Sequence, residues 1–162
     1  MPEPIKLSLE SSSGGTFSFP DNTGKPTVVV YESLSNQSLN AWFRDAARTW
    51  VESDSEKAQC VRLMVIVDAA GIPSAMRDTM KAMVRGMIAP MGIKDVFFDW
   101  DKRFRVAMGL QPSSSDPIYA MLDIENRMLW GRFGRLERTH WDELLWKIDA
   151  ELRADKKLAG RT

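Results

Sequence analysis

"TVVVYESLSNQSLNAW", residues 27–42, is the stretch on which the fold turns. Its first five residues, Thr27–Tyr31, are β-branched or aromatic throughout. Such a run fits a strand buried on both faces, in a parallel or mixed sheet covered by helices. Beyond it, Leu39, Trp42, Phe43, Ala46, Ala47 and Trp50 fall on one stripe, with Asn40, Arg44, Asp45 and Arg48 opposite. That spacing predicts a helix from Asn36 to Val51. Between strand and helix lies Ser35-Asn36-Gln37-Ser38. The free N–H groups of a helix start there would hold a carboxylate, a phosphate or an extended peptide. The plain reading is capping, in which Ser35 or Asn36 satisfies those groups and does nothing else. Glu32, at the strand end, is expected to be solvated.

Upstream, Ile5–Leu9 reads as a short strand, "ESSSGG" (10–15) as a flexible joint, and "TFSF" as a short extended piece before a turn at Asn22–Lys25. Downstream, "SDSEKAQ" is a polar loop and "CVRLMVIVD" (60–68) a second buried strand. Pro73 suits the first turn of a helix that runs to about Ala89 and stops near Pro90 and Gly92. "DVFF" (95–98) is a short strand and Asp101–Met108 a short helix. "QPSSSDP" is a loop. "IYAMLDIENRMLWGRF" reads as a hairpin with its turn at Glu125-Asn126. Thr139 and Asp142 have the spacing of a capping box. Trp141, Leu144, Leu145, Ile148 and Leu152 make the stripe of the last helix. The order is β-β-α-β-α-β-α-β-β-α, which implies a mixed sheet with helices on both faces.

Composition narrows the function classes. The chain has 162 residues, 44% hydrophobic and 27% charged, with a formal net charge of zero. These values suit one globular domain and give no electrostatic case for nucleic acid or an acidic membrane surface. No apolar run approaches the roughly 18 residues that span a bilayer. The N-terminus lacks a signal-peptide pattern, so the expected compartment is the cytoplasm, or the periplasm or exterior if a signal was trimmed. One cysteine, Cys60, and one histidine, His140, leave no intramolecular disulfide and little material for a metal cluster or a His-based triad. No cofactor or metal is expected.

With these residues in this order, the chain resembles the thioredoxin-like superfamily, in its thiol-disulfide and peroxiredoxin-like branch. "FSFPDNTGKPTVVVY" is similar to the opening segment of that branch. "DWDKRFRVAMGL" looks like its short strand, helix and closing Tyr-Gly-Val-type segment. "DPIYAMLDIENRMLWGRFG" looks like its cis-proline strand, turn and following strand. The last helix closes the fold in the expected place. The resemblance spans roughly residues 16–154. It implies an α/β thioredoxin-like fold: a mixed central sheet flanked by helices, ending in a β-hairpin and a C-terminal helix. Residues 1–15 would be an N-terminal strand and joint, and 155–162 a polar tail.

By position, Ser35 and Ser38 stand where the family has its two redox cysteines, and Pro117 stands where it has its cis-proline. Val29 replaces an acidic residue that some members bury, and Leu34 replaces the tryptophan that often precedes the first cysteine. Serine cannot form a disulfide, and as a nucleophile it needs an adjacent base. No catalytic residue is therefore assigned. The expected function is a redox-inactive protein- or peptide-binding module using Ser35, Asn36, Gln37, Ser38, Asp116 and Pro117. One alternative is a glutathione-binding, transferase-like enzyme. Another is a single-cysteine peroxidase using Cys60, though a lone cysteine at the start of a core strand reads first as a small buried hydrophobe.

Met76, Met80, Met83 and Met87 recur at i, i+4, i+7 and i+11, with Met91 beyond. Core packing is the plain reading; an adaptable interaction face is the functional one. Trp42, Trp50 and Trp141 lie on apolar stripes, whereas Trp100 and Trp146 are candidates for exposure. Arg132, Arg135 and Arg138 gather in "GRFGRLER", where a solvated loop is the default and an anion site the alternative. Asp99 and Asp101 flank Trp100 and are expected to cap rather than bind metal.

Overall fold

The computed structural model describes residues 3–20, 24–93 and 95–159, with side chains described to residue 154. Seven strands form one sheet: β1 (Leu7–Ser11), β2 (Thr16–Phe19), β3 (Thr27–Glu32), β4 (Arg62–Asp68), β5 (Phe97–Asp99), β6 (Ile118–Leu122) and β7 (Met128–Phe133). Their spatial order is β2-β1-β5-β4-β3-β6-β7. Strands β3, β4 and β5 are parallel, and the outer strands pair antiparallel. The helices are α1 (Ala41–Val51), α2 (Glu56–Gln59), α3 (Arg77–Ile88), α4 (Arg103–Ala107) and α5 (Arg138–Ala159).

All six residues of β3 are buried: Thr27–Tyr31 as their unbroken run predicts, and Glu32 against the expectation. Its alternate side chains feed two cores. Val29 and Tyr31 join Met64, Ile66, Phe104, Ile118 and Leu122 on one face. Val28 and Val30 join Phe43, Tyr119, Met121, Trp130, Leu144 and Ile148 on the other, under α1 and α5. Each such apolar side chain, fully buried, contributes about 1.5–3 kcal/mol against exposure, which makes β3 the axis of the domain.

The differences from the sequence reading have physical causes. The first helix starts at Ala41, not Asn36, and residues 34–40 form consecutive turns. Asn40 stops the helix there because its side chain is engaged elsewhere. Its Nδ2 donates to the Tyr119 hydroxyl and the Gly134 carbonyl, and its Oδ1 accepts from Leu136 N–H. "SDSEKAQ" holds the short helix α2, capped by Ser55 Oγ on Ala58 N–H. The "ESSSGG" stretch is anchored rather than loose. Ser11, Ser12 and Ser13 all donate hydroxyl hydrogen bonds to Asp95, and Ser11 and Ser12 are buried. Thr139 caps nothing, because α5 already begins at Arg138, where Glu137 N–H donates to His140 Nδ1. The last helix also continues to Ala159, past the expected start of the polar tail; residues 160–162, like Asn22 of the expected turn, lie outside the described residues. The hairpin turn falls where expected, with Asn126 at φ 62°.

The methionine face is split. Met80 packs with Val84, Val96 and Phe98, while Met76, Met83, Met87 and Met91 are about half exposed. A helix lying on a sheet buries one stripe, and the expected Met stripe straddles its border. Among the tryptophans, Trp42, Trp50 and Trp141 pack against the core and Trp146 is exposed. Trp100 is half-buried: it stacks on Phe98 at 5.0 Å and donates to Glu10 Oε2 at 2.9 Å.

Candidate functional site: the loop after β3 and the segment before β6

Functional sites of open α/β sheets lie beyond the carboxyl ends of the parallel strands. Here each parallel strand ends in an acid: Glu32 on β3, Asp68 on β4 and Asp99 on β5. Glu32 is buried, not solvated as expected. Its Oε1 accepts from Arg44 Nη1 at 2.6 Å and its Oε2 from the Tyr119 hydroxyl at 2.6 Å. Burial and the bond to Glu32 push the Tyr119 hydroxyl far above its usual pKa, so it keeps its proton and donates it to Glu32 while accepting from Asn40 Nδ2.

Asp68 and Asp99 are direct neighbours across the β4–β5 pair. Asp68 Oδ2 accepts from Arg105 Nη2 at 3.0 Å, and Arg105 is fully buried with its guanidinium 5.4 Å from the centre of the Tyr31 ring. The Tyr31 hydroxyl donates to Asp99 Oδ2 at 2.9 Å. Asp99 also accepts from the N–H groups of Arg103 and Phe104, so it caps α4 as the sequence suggested. Burial raises the Asp99 carboxyl above its usual range despite these donors. Burial, together with the Asp99 and Asp68 carboxylates, drives the Tyr31 hydroxyl far upward.

The Ser35–Ser38 loop sits on this rim. Ser35, Gln37 and Ser38 are exposed and Asn36 is half-buried. Asn36 organises the loop: its Oδ1 accepts from Ser33 N–H at 2.8 Å, and its Nδ2 donates to the Ser115 carbonyl at 2.8 Å. That second bond joins the loop to the Asp116–Pro117 segment. Pro117 lies one step beyond the Tyr31–Ile118 pair, next to the end of β3. Asp116 is exposed and Pro117 is buried. The sequence-predicted residues are therefore brought together.

Two expectations about the loop are corrected. Ser35 and Asn36 do not cap α1, which begins beyond them at Ala41 with no side-chain cap. The Asp116–Pro117 peptide is trans; the one cis peptide among the described residues is Phe19–Pro20. Trans is the lower-energy isomer by about 0.5–1 kcal/mol, and in it the preceding Ser115 carbonyl meets Asn36 while the Pro117 carbonyl accepts from Gly134 N–H at 3.0 Å.

Among the described residues no basic side chain is hydrogen-bonded to the Ser35 or Ser38 hydroxyl. Ser35 Oγ shares a hydrogen bond with Ser33 Oγ at 2.9 Å. His140, at the start of α5, is engaged by Glu137 N–H. Cys60 is exposed, not buried as expected, because it ends α2 rather than starting β4. Its Sγ lies 3.4 Å from the Glu56 carbonyl, beside a cavity of about 620 Å³ lined by Lys25, Lys57 and Asp149 among others. Because β3 and β4 are parallel, Cys60 and the Ser35–Ser38 loop stand at opposite ends of the sheet. The three arginines do not converge: Arg132 pairs with Glu143 at 2.8 Å and Arg138 covers the Trp42 ring at 4.3 Å. Among the described residues no group of three or more His, Cys, Asp or Glu side chains is placed to hold a metal ion. None of their helices is long and apolar enough to cross a membrane.

Sequence reasoning missed the buried partners Glu32, Arg44 and Tyr119, and likewise Asp68, Arg105, Asp99 and Tyr31. A signal was present, because "TVVVYE", "RLMVIVD" and "FFD" each close an apolar run with an acid.

No family model and no curated protein matches the chain at the level of sequence. Solved structures do. A protein designated a thioredoxin from Neisseria meningitidis is 20% identical with a TM-score of 0.65, over 94% of this chain and 91% of that one. A thiol:disulfide interchange protein of the thioredoxin family from Chlorobium tepidum is 15% identical with a TM-score of 0.58, over 94% and 97%. An exposed lipoprotein thioredoxin from Streptococcus pneumoniae is 16% identical with a TM-score of 0.57, over 90% and 98%. The chain thus has the thioredoxin-like α/β fold, with a mixed seven-stranded sheet between helices and a C-terminal helix.

Proposed function

We propose that this chain is a protein- or peptide-binding module that uses the face formed by Ser35–Ser38 and Asp116–Pro117 and carries out no dithiol chemistry. The observation that supports this reading is the loop itself. It is exposed, tied by Asn36 to the segment before β6, and holds serines and amides with no sulfur. An extended chain laid there meets the hydroxyls of Ser35 and Ser38 and the side chain of Gln37. The carboxylates beneath the loop already have donors within the fold, so they offer no free base. Cys60, at the other end of the sheet, does not reach this face.

Two measurements test the proposal. Insulin reduction and peroxide turnover are both expected to be absent; robust turnover that disappears in Cys60→Ala overturns the non-redox part. Reduced and alkylated insulin B chain serves as an extended-polypeptide probe. It is expected to shift the amide signals of residues 33–39 and 113–116, and Asn36→Ala is expected to weaken its binding. Absence of shifts in both segments at millimolar probe overturns the binding part.

A further inference from the structure

Strand β7 ends the sheet. It pairs with β6 on one side and with no strand among the described residues on the other. Hydrogen-bonded and non-bonded pairs alternate in an antiparallel ladder. Gly134 N–H donates to the Pro117 carbonyl, so by alternation Arg132 and Trp130 turn their backbone groups toward β6. Gly131 and Phe133 then turn theirs outward. In agreement, the Gly131 carbonyl accepts from Arg132 Nη1 at 2.9 Å, not from β6. Phe133 is 59% exposed.

Beside this edge lies a groove of about 490 Å³ between β7 and α5, with Trp130, Glu143, Trp146 and Lys147 in its lining. Trp146 is 62% exposed, in contrast to the packed tryptophans of the same face. Two residues of its lining carry a buried polar atom without a hydrogen-bond partner. Trp130 Nε1, on a side chain only 5% exposed, has no acceptor, and Glu143 Oε2 has no hydrogen-bond donor, with His140 Nε2 4.0 Å away. Unanswered buried polar atoms are rare in folded proteins and call for an explanation. Lys147 makes no ion pair among the described residues; its Nζ lies 5.7 Å from the centre of the Trp146 ring.

An extended peptide answers the open edge, the exposed Trp146 and the unpaired Lys147. Its backbone supplies partners for the outward N–H groups of Gly131 and Phe133 and for the Phe133 carbonyl. An apolar side chain covers Trp146, and a carboxylate meets Lys147. A second copy fits less well. A two-fold pairing of Gly131 with Phe133 sets Arg132 directly against its own counterpart, which is repulsive. Pairing Gly131 with Gly131 puts Leu129 opposite Phe133, and Leu129 is the extra residue of a bulge, since Met121 faces Trp130 and Leu122 faces Met128. We propose that the β7–α5 groove is a docking site for an extended, largely apolar segment of a partner protein that carries an acidic residue and adds to β7 as a further strand. This site is separate from the Ser35–Pro117 face.

Selection from a random seven-residue peptide library on the whole chain, followed by titration of the enriched peptides into 15N-labelled protein, tests the assignment. The enriched peptides are expected to alternate apolar residues and to include Asp or Glu. They should shift the Gly131 and Phe133 amides and the Trp130 indole N–H. Trp146→Ala and Lys147→Glu, both outside the core clusters, should each weaken binding about tenfold or more, while Ser18→Ala, at the far edge of the sheet on β2, leaves it unchanged. Full affinity in both groove variants, or no enrichment over Trp146→Ala, overturns the proposal. So does a dimer in sedimentation that Phe133→Thr dissociates, because a second copy then occupies the edge.

Discussion

The Tyr119 hydroxyl donates to Glu32 Oε2 at 2.6 Å, so the strand that leads into the Ser35–Ser38 loop is fastened to the strand that leaves Pro117. Arg44 holds the other Glu32 oxygen from α1, and Asn40 Nδ2 donates to the same Tyr119 hydroxyl. Loop geometry therefore depends on a buried polar unit rather than on the loop residues alone. Tyr119→Phe is expected to cost about 1–2 kcal/mol, the loss of a hydrogen bond to a charged group. Glu32→Ala is expected to cost about 2–3 kcal/mol, below the value for a fully buried pair because Arg44 is 28% exposed. Urea unfolding measures both; a midpoint for Glu32→Ala equal to that of the parent contradicts the arrangement.

Asp95 gives a pH-dependent signature. Burial raises its carboxyl, but the hydroxyl bonds from Ser11, Ser12 and Ser13 more than reverse this, leaving it below the usual range. A carboxyl lowered in the folded state adds stability that is present above its unfolded pKa and lost as pH falls through its folded one. Ser11→Ala with Ser12→Ala should thus destabilise the protein at pH 7 by about 1.5–3 kcal/mol. The deficit should shrink as pH drops below about 3.9, the ordinary value for aspartate. Urea midpoints measured from pH 7 to pH 2 check it. A deficit that stays constant across that range shows that the serines act through packing.

The late start of α1 predicts what thiols introduced into the loop would do. A helix N-terminus lowers a cysteine pKa from about 8.5 toward roughly 3.5–7.5. Residues 34–40 are turns, and the helix begins only at Ala41. In a Ser35→Cys, Ser38→Cys variant carrying Cys60→Ala, both thiols are expected to titrate near about 8.5. The pH dependence of iodoacetamide alkylation reports this. A reactive thiolate with an apparent pKa below about 7 would mean that the loop itself is electropositive.

The four methionines of the α3 region should separate into two groups. Met80 is 5% exposed, and its truncation to alanine leaves a cavity beside Val84 and Phe98. Met80→Ala is expected to cost about 2–5 kcal/mol. Met83→Ala and Met87→Ala, at half-exposed positions, should stay within about 0.5 kcal/mol of the parent. Thermal unfolding of the three variants is sufficient to compare them.

The central strand, the alternation of elements and the closing hairpin were legible because they rest on local periodicity and apolar runs. Residues 27–31 announce a strand buried on both faces, and the structure buries them all. The start of α1 was not legible. The apolar stripe continues from Leu39, but Asn40 is committed to Tyr119, Gly134 and Leu136, contacts 79 to 96 residues away in sequence. Period arguments cannot see such partners. The same holds for Glu32, which reads as a solvated strand end until Arg44 and Tyr119 are placed around it. The pairing of Asn36 with the 115–117 segment was anticipated in position through the resemblance, whereas the trans Asp116–Pro117 bond was not. Cys60 shows the converse: a single helical turn at Glu56–Gln59, too short to show any period, carried the thiol out to the surface.

The position of β3 has a consequence for synthesis. Its neighbours are β4, about 35 residues later, and β6, about 90 residues later. Parallel and long-range pairings close slowly, and uncovered apolar strands associate with other chains. A ribosome releases "TVVVY" about 90 residues before its second partner strand has emerged, and α5 covers one of its faces later still. Nascent or truncated forms ending before β6 should therefore need a chaperone's shelter, and the yield of soluble protein will be set by how long that one strand waits for its second partner.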